Sequence, residues 1–296
     1  MRLDATRRHA IGAGLAAFAA PALAAESADP FAAVEARTGG RVGVAALDTA
    51  SGARLGHRAA ERFAMCSTFK AMAAAAVLAR VDRGVERLDR FVPYAERDLL
   101  DYAPVTRRRV KDGGMPLGEL CAAAVELSDN TAANLILAAI GGPAGWTGFV
   151  RTLGDTSSRL DRIEPAMNTV AAGETRDTTT PLAMLADLQM TVLGKLLTPG
   201  SRERLAGWMV ACQTGTARLR AGLPKSWRVG DKTGALSTTN ANDIAVIWTA
   251  TAPIVIASYI AGAKVASGAE LDGAHAEIGA IVARAFRPAE AGAAHG

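Results

Sequence analysis

Residues 67–81 read STFKAMAAAAVLARV, a run in which apolar side chains occupy nearly every position after Lys70. Alanine is the strongest helix former among the amino acids, so this run predicts a helix. A helix that is apolar on all faces is stable only when other elements cover it on every side. We therefore expect a helix at the centre of the protein, with Ser67 and Lys70 at its amino end.

Patterns on either side of this run predict strands near both ends of the chain and helices between them. Apolar and polar residues alternate over 41–55 around Ser51 and Gly52, which predicts a β-hairpin. An irregular stretch follows at 162–180, and Pro181 after it suits the first turn of a helix. The other predicted elements are helices at 117–126, 131–140, 181–197 and 271–287 and strands at 227–232, 243–249 and 254–261.

This order predicts an α+β fold in which an antiparallel sheet, formed by both termini, is flanked by helices as an α/β/α sandwich. An all-helical subdomain is inserted between the two halves of the sheet. We expect the α/β subdomain to comprise residues 25–60 and 212–296. The helical subdomain would comprise residues 61–211, including the irregular stretch at 162–180.

The first 24 residues are typical of an export signal, with the basic pair Arg7-Arg8, an apolar run over 11–20 and the small residues Ala22 and Ala24 at the expected cleavage site. The arginine pair is compatible with twin-arginine export. A membrane anchor is the alternative, but the apolar run is well short of the ~20 residues that a spanning helix needs. We expect a periplasmic or secreted protein that is free of the membrane after residues 1–24 are removed.

The composition argues against nucleic acid and metal as partners. The formal net charge is +4, of which residues 1–24 contribute +2, and aromatic residues make up only 5% of the chain. The four histidines and three cysteines have no metal-ligand spacing, and the parts of a Ser-His-Asp triad are missing. We therefore predict no cofactor, and a nucleophilic serine in this chain needs a base other than histidine.

Ser67 and Lys70 supply such a pair. Residues three apart on a helix project from the same face, with Cβ atoms about 5–6 Å apart. The positive end of the helix dipole disfavours a second ammonium there and stabilises an oxyanion. Lysine, unlike arginine, can lose its proton and act as a base. The signal is weak by itself, because chance gives such a pair in roughly one sequence of five.

Two further motifs are also weak when taken singly. Ser128-Asp129-Asn130 follows a predicted helix and is typical of a capping turn as much as of a site. Lys232-Thr233-Gly234 lies on a predicted strand, where alternation puts Lys232 and Gly234 on one face. The glycine would let a ligand approach the strand closely.

Together and in this order, the three motifs resemble those of class A serine β-lactamases and penicillin-binding proteins. The resemblance extends over essentially the whole mature chain, and it includes RIEPAMN at 162–168 and RDTTTP at 176–181. The chain is identified as a member of the class A group of penicillin-recognising serine enzymes. Such a protein would act on small-molecule β-lactams, most often as a monomer.

The resemblance implies two sets of site residues. Ser67 would be the acylated nucleophile, and Lys70 and Glu164 compete for the role of its base, which stays open. Ser128 would relay a proton to the departing ring nitrogen, and the main-chain N–H groups of Ser67 and Ala235 would form the oxyanion hole. The implied catalytic residues are Ser67, Lys70, Ser128, Glu164, Asn168 and Lys232. The implied substrate-binding residues are Tyr102, Asn130, Arg218, Thr233, Gly234 and Ala235.

Within the second set, Asn130 would bind the substrate side-chain amide and Tyr102 would form a wall. Lys232, Thr233 and Arg218 would hold the substrate carboxylate. Many members of the family place an arginine on the strand after Lys-Thr-Gly for this purpose. Here Ala241 occupies that position, and Arg218 is expected to replace the missing arginine.

Glu164 and Asn168 distinguish a hydrolase from its relatives. They are four residues apart, so on one helical turn they face the same way and can hold one water between them. The resemblance implies an ion pair between Arg162 and Asp177 that closes the loop, and a cis bond before Pro165. A D-alanyl-D-alanine peptidase and a non-hydrolysing β-lactam sensor are the alternatives, and both lack Glu164.

The cysteines depart from disulfide patterns known in the family. Cys66 could pair with a cysteine two positions after Lys-Thr-Gly, but that position holds Leu236. Cys121 matches half of another bridge, whose partner position holds Ala74. We therefore expect all three cysteines to be free.

Overall fold

The computed structural model describes residues 29–286. The strands in this part of the chain are β1 (Arg41–Asp48), β2 (Arg54–His57), β3 (Phe63–Ala64), β4 (Phe91–Pro93), β5 (Gly114–Pro116), β6 (Thr178–Thr179), β7 (Arg228–Leu236), β8 (Asn240–Trp248) and β9 (Pro253–Ala261). The helices are α1 (Ala32–Thr38), α2 (Phe69–Asp82), α3 (Thr106–Arg109), α4 (Leu117–Glu126), α5 (Asn130–Ala139), α6 (Gly142–Thr152), α7 (Pro181–Leu188), α8 (Pro199–Val210), α9 (Leu219–Gly222) and α10 (Gly268–Ala285).

A five-stranded antiparallel sheet has the strand order β2-β1-β9-β8-β7. The first two strands form the predicted hairpin, with Val44 opposite His57. Strands β7 to β9 come from the other end of the described chain, so both ends build one sheet and the helices α2 to α8 are inserted between them. The predicted α+β class, an antiparallel sheet flanked by helices, is confirmed.

Both faces of the sheet are covered, because side chains alternate between the faces along each strand. On β8, Ile244 and Val246 pack into the cluster that contains the residues of α2. Ala245 and Ile247 pack on the opposite face, together with residues of α1, α9 and α10. The apolar pattern of β8 therefore produces a layer of helices on each side of the sheet.

Helix α2 lies inside the larger cluster, as its alanine content predicts. All of its residues from Phe69 to Ala79 are buried. The indole Nε1 of Trp146 on α6 donates a hydrogen bond to the carbonyl oxygen of Phe69 over 3.0 Å. This bond attaches the first turn of α2 to the helical core, and Lys70 lies in that turn.

Several bounds differ from the prediction for local reasons. Helix α7 ends at Leu188 and continues only as a π turn over Gln189–Leu193, because the extended backbone of Gly194 ends it before residue 197. Strands β7 and β8 are longer than predicted. Leu236 pairs with Asn240 across a tight turn, although serine and threonine fill this stretch.

The sequence patterns do not predict α1, α6 or α8. Helices α6 and α8 begin with Gly142-Pro143 and Pro199-Gly200, dipeptides that are typical of turns. Proline is nevertheless tolerated in the first turn of a helix. Burial of Trp146 against the core then stabilises α6 despite its glycines.

The predicted export signal at 1–24 lies outside the described residues. The subdomain boundaries stay a prediction. Within residues 29–286, no single helix is long and apolar enough to cross a membrane, and only α5 and α6 taken as a pair, bent by 71°, reach that length and composition.

Candidate active site

Ser67 lies in a 3-10 turn, Cys66–Thr68, that leads directly into α2. Its half-buried hydroxyl donates a hydrogen bond to Glu164 Oε1 over 3.3 Å. Cys66, immediately before it, has a φ of +43°. This left-handed conformation costs a non-glycine residue about 1–3 kcal/mol and persists only where the surroundings hold it. The turn that presents Ser67 therefore depends on contacts from other segments.

Lys70 is fully buried, and its ammonium contacts groups from two other segments. Its Nζ lies 3.1 Å from Glu164 Oε1, and it donates to Asn130 Oδ1 over 2.6 Å and to the carbonyl oxygen of Ser128 over 2.9 Å. Burial lowers the pKa of Lys70, and the negative charge of Glu164 opposes this shift. Among the described residues, Ser67 Oγ bonds to Glu164 and not to Lys70. Ser67 and Lys70 therefore both contact the same carboxylate oxygen, Glu164 Oε1.

Ser128 Oγ lies between two lysines. Lys70 Nζ is 3.3 Å away and Lys232 Nζ is 3.1 Å away. Burial lowers the pKa of Lys232 to about 8, with repulsion from Lys70 and Arg218 adding to the shift and nearby acidic groups opposing it. The hydroxyl of Ser128 can therefore exchange protons with either amine, which is what a relay requires.

Glu164 is buried and is held by two asparagines. Asn168 Nδ2 donates to Glu164 Oε2 over 2.6 Å, so these side chains contact each other directly. The side chain of Asn134 forms two hydrogen bonds to the main chain of Glu164. Its Nδ2 donates to the carbonyl oxygen of Glu164 (3.0 Å), and its Oδ1 accepts from the main-chain N–H of Glu164 (2.9 Å). Asn168 belongs to a 3-10 turn rather than an α-helical turn. The peptide bond before Pro165 is cis, as the resemblance implies.

Arg162 and Asp177 close the loop that carries Glu164. Arg162 Nε donates to Asp177 Oδ2 over 2.6 Å, as the resemblance implies. The same carboxylate accepts from the main-chain N–H groups of Asp161 (2.7 Å) and Arg162 (2.9 Å). Arg162 also donates to the carbonyl oxygen of Thr169. The Asp177 side chain is fully buried and joins both ends of the loop.

Strand β7 borders the nucleophile. A Cβ on Gly234 would lie 3.0 Å from the Ser67 nitrogen, so only glycine lets the turn approach the strand this closely. Thr233 is buried and its hydroxyl is 2.6 Å from that of Thr214. Ala235, which follows Gly234 on the strand, is exposed. These positions bring the Lys-Thr-Gly motif to the serine.

Tyr102 contacts the segment that carries Asn130, whereas Arg218 contacts strands β7 and β8. Tyr102 is 49% exposed, and its carbonyl oxygen accepts from the N–H of Asn130 over 3.0 Å. Arg218 is largely buried, since its Nε pairs with Asp272 (2.7 Å) and its Nη1 donates to the carbonyl oxygens of β7 and β8 at Gly234 and Asn242. The arginine is therefore attached to the strand that carries Lys232.

Asn134 was not recognised in the sequence, and Asp129 was recognised only as part of a capping-turn motif. Asn134 follows Asn130 by four positions, and this helical spacing could have placed both amides on one face. Asp129 caps α5 by accepting from the N–H of Ala132 and also binds the hydroxyl of Thr106. Nothing in the sequence signals this second contact, which crosses between distant segments.

Cys66, Cys121 and Cys212 are all free and buried, as expected. Burial raises the pKa of the Cys66 thiol to about 12, so the cysteine beside Ser67 does not compete with it as a nucleophile. Among residues 29–286, no group of three or more His, Cys, Asp or Glu side chains is arranged to bind a metal ion.

A buried lysine that approaches a serine, between a helical region and an antiparallel sheet, is a feature of the penicillin-recognising serine enzymes, and the glutamate that contacts both is a feature of the class A β-lactamases among them. The beta-lactamase enzyme family matches residues 26–286. Beta-lactamase L2 of Stenotrophomonas maltophilia is 52% identical over 252 residues, covering 84% of this chain and 82% of the relative. The carbapenem-hydrolyzing beta-lactamase KPC of Klebsiella oxytoca is 46% identical over 247 residues, covering 83% and 84%.

A solved structure, the ancestral (GNCA) class A beta-lactamase, superposes with a TM-score of 0.84 at 56% identity, covering 86% of this chain and 98% of that one. Family, relatives and structure agree over most of the described residues. The chain belongs to the class A β-lactamases.

We expect Asp177→Asn to loosen the loop while the sheet stays intact. The change removes a buried charge that accepts three hydrogen bonds from Asp161 and Arg162, and each bond to a charged group contributes about 1.5–3 kcal/mol. Urea unfolding should show a loss of about 1–3 kcal/mol, and amide exchange should accelerate over 162–177.

Asp89→Asn is the matched control, because the Arg87–Asp89 pair is exposed. It should change neither measurement. Unaltered exchange in the loop of the Asp177 variant would contradict the role given to this ion pair.

Proposed function

We propose that the protein hydrolyses the amide bond of β-lactam antibiotics through an acyl-enzyme on Ser67, with Glu164 as the base for deacylation. The observation that carries the proposal is the position of one carboxylate oxygen. Glu164 Oε1 lies 3.3 Å from Ser67 Oγ and 3.1 Å from Lys70 Nζ. Asn168 holds the other oxygen.

In the acylation step, Ser67 Oγ attacks the carbonyl carbon of the β-lactam and gives its proton to Lys70 or Glu164. The lowered pKa of Lys70 favours the neutral amine, and Glu164 is in direct contact with the hydroxyl. The ring C–N bond breaks, and the nitrogen takes a proton from Ser128, which Lys70 or Lys232 replaces. The N–H groups of Ser67 and Ala235 stabilise the oxyanion, where one donor contributes about 2.7–4 kcal/mol.

In the deacylation step, a water molecule gives a proton to Glu164 and its oxygen attacks the ester carbon. The ester C–O bond breaks, and the proton returns to Ser67 Oγ. Asn168 Oδ1 is buried and accepts no hydrogen bond from the described residues, so it can accept one from the attacking water. The contact between Asn168 and Glu164 keeps the carboxylate oriented for this step.

The remaining residues of the site bind the substrate. Lys232, Thr233 and Arg218 attract the carboxylate of the antibiotic, with Arg218 supplying positive charge behind Gly234. Asn130 binds the substrate side-chain amide. Tyr102 forms a wall of the cleft, and Gly234 brings Ser67 to the substrate because it lets the Cys66–Thr68 turn approach β7 closely.

The protein acts outside the cytoplasm, in the periplasm or as a secreted enzyme, after removal of residues 1–24. Support comes from the basic and apolar pattern of that segment. It acts as a monomer on a small-molecule substrate, in keeping with the usual state of the family. Its hydrolytic activity would confer resistance to β-lactams.

The activity test uses Ser67→Ala and Glu164→Gln with a chromogenic cephalosporin. Ser67→Ala should abolish turnover. Glu164→Gln should lower kcat roughly 10²–10⁴-fold, the range for loss of a general base, and intact mass should show a persistent covalent adduct. Glu203→Gln is the control, because this carboxylate is exposed and pairs with the exposed Arg228.

Normal turnover in Glu164→Gln would refute its assigned role. A wild-type protein that consumes only one equivalent of drug would instead be a sensor. Cleavage of D-alanyl-D-alanine peptides together with slow release of the drug would indicate a peptidase.

The pH dependence follows from Lys232. Its pKa is about 8, so the ammonium is present below that pH and is lost as pH rises through it. A penicillin carboxylate stays ionised over this range, so kcat/KM should fall above pH 8, approaching tenfold per pH unit. Lys232→Arg should remove this alkaline limb, because the guanidinium keeps its proton. An identical limb in the variant would contradict the assignment.

A further inference from the structure

We propose that Asn242 is a positioning residue that holds the backbone ahead of Ser67 in its reactive conformation. The inference rests on the proposed function, since it concerns acylation of Ser67. Asn242 lies on β8 and its side chain is buried. Its Nδ2 donates to the carbonyl oxygens of Ala64 (2.9 Å) and Met65 (3.0 Å). These residues immediately precede the Cys66–Thr68 turn.

The register of the sheet brings Asn242 to this turn. Asn242 is the cross-strand partner of Gly234, and residues directly opposite each other in an antiparallel pair project to the same face. A Cβ on Gly234 would lie 2.9 Å from the carbonyl oxygen of Met65. The Cys66–Thr68 turn therefore packs directly against the backbone of β7 at Gly234. The side-chain amide of Asn242 reaches the carbonyl oxygen of Met65 from the neighbouring strand.

Met65 is held from two sides. Its N–H donates to the carbonyl oxygen of Asp177 over 3.0 Å, and its own carbonyl accepts from Asn242. The next residue, Cys66, has the strained φ of +43°. Fixing both groups of Met65 stabilises this conformation, which sets the direction of the Ser67 hydroxyl. Asn242 thus fixes Met65 from the sheet, and Asp177 fixes it from the end of the loop that carries Glu164.

The side chain and main chain of Asn242 have separate partners. The main-chain carbonyl accepts from Arg218 Nη1 over 2.7 Å, and the same guanidinium nitrogen binds the carbonyl oxygen of Gly234. Changing the side chain leaves these main-chain acceptors in place. Loss of the side-chain amide should therefore slow attack by Ser67 more than it weakens binding of the substrate carboxylate.

The test separates acylation from deacylation by rapid mixing with a chromogenic cephalosporin. Asn242→Ala removes the donor, and Asn242→Asp keeps the size but replaces the donor with an acceptor. Ser258→Ala is the matched control. Ser258 is also buried in the sheet, on β9, and its Oγ bonds to His275 Nδ1 over 2.9 Å, away from the nucleophile turn.

Both Asn242 variants should acylate roughly 10–100-fold more slowly, the effect of a small misplacement of a reacting group. Their deacylation, which depends on Glu164 and Asn168, should change by less than about threefold. Any change in KM should come from the slower acylation and not from weaker binding of the substrate carboxylate. Ser258→Ala should lower the melting temperature and leave acylation unchanged.

Wild-type acylation in both Asn242 variants would overturn the inference. An equal fall of acylation and deacylation, matched by Ser258→Ala, would also overturn it, because it would indicate only a general loss of order. If the wild-type protein is not acylated at all, the proposed function itself fails.

Discussion

The contact between Lys70 and Glu164 is the constraint on which the site depends. Both side chains are buried, and an isolated buried charge is costly unless it is paired and hydrogen-bonded. Lys70 gains its acceptors from the Ser128–Asn130 segment and from the loop that carries Glu164. The helix, the segment and the loop must therefore fold together before the lysine can be buried.

The surrounding structure meets this constraint through hydrogen bonds to backbone. Asn134 fixes the main chain of Glu164, and Asp177 closes the loop around it. Asp177 also reaches Met65 through its carbonyl oxygen, on the opposite side from Asn242. The Cys66–Thr68 turn that carries Ser67 is thus positioned by the same loop that carries Glu164. This shared contact links the geometry of acylation to that of deacylation.

The sequence predicted the parts of the fold that depend on local pattern. The alanine run predicted the buried helix α2, and alternation predicted the hairpin that begins the sheet. The start of α6 was missed, because Gly142 and Pro143 favour a turn locally and only burial of Trp146 stabilises the helix. Local pattern carries no information about that tertiary contact.

The same limit applies to the site. The family resemblance brought Ser67, Lys70 and Glu164 into one prediction, and in the structure Glu164 contacts both Ser67 and Lys70. The partners of Asn242 depend on strand register and on the absence of a side chain at Gly234, neither of which spacing reveals. Residues that orient the reacting groups are therefore harder to predict than the reacting groups themselves.

The most direct test of this account is the pKa of Lys70, measured by NMR titration of protein labelled with ¹³C at the lysine ε carbon. The chain has six lysines, so the resonances can be assigned with Lys→Arg variants. Lys70 should titrate below the ordinary lysine value of about 10.4, because the effect of burial outweighs the attraction of Glu164. Titration of Lys70 at or above that value would contradict it.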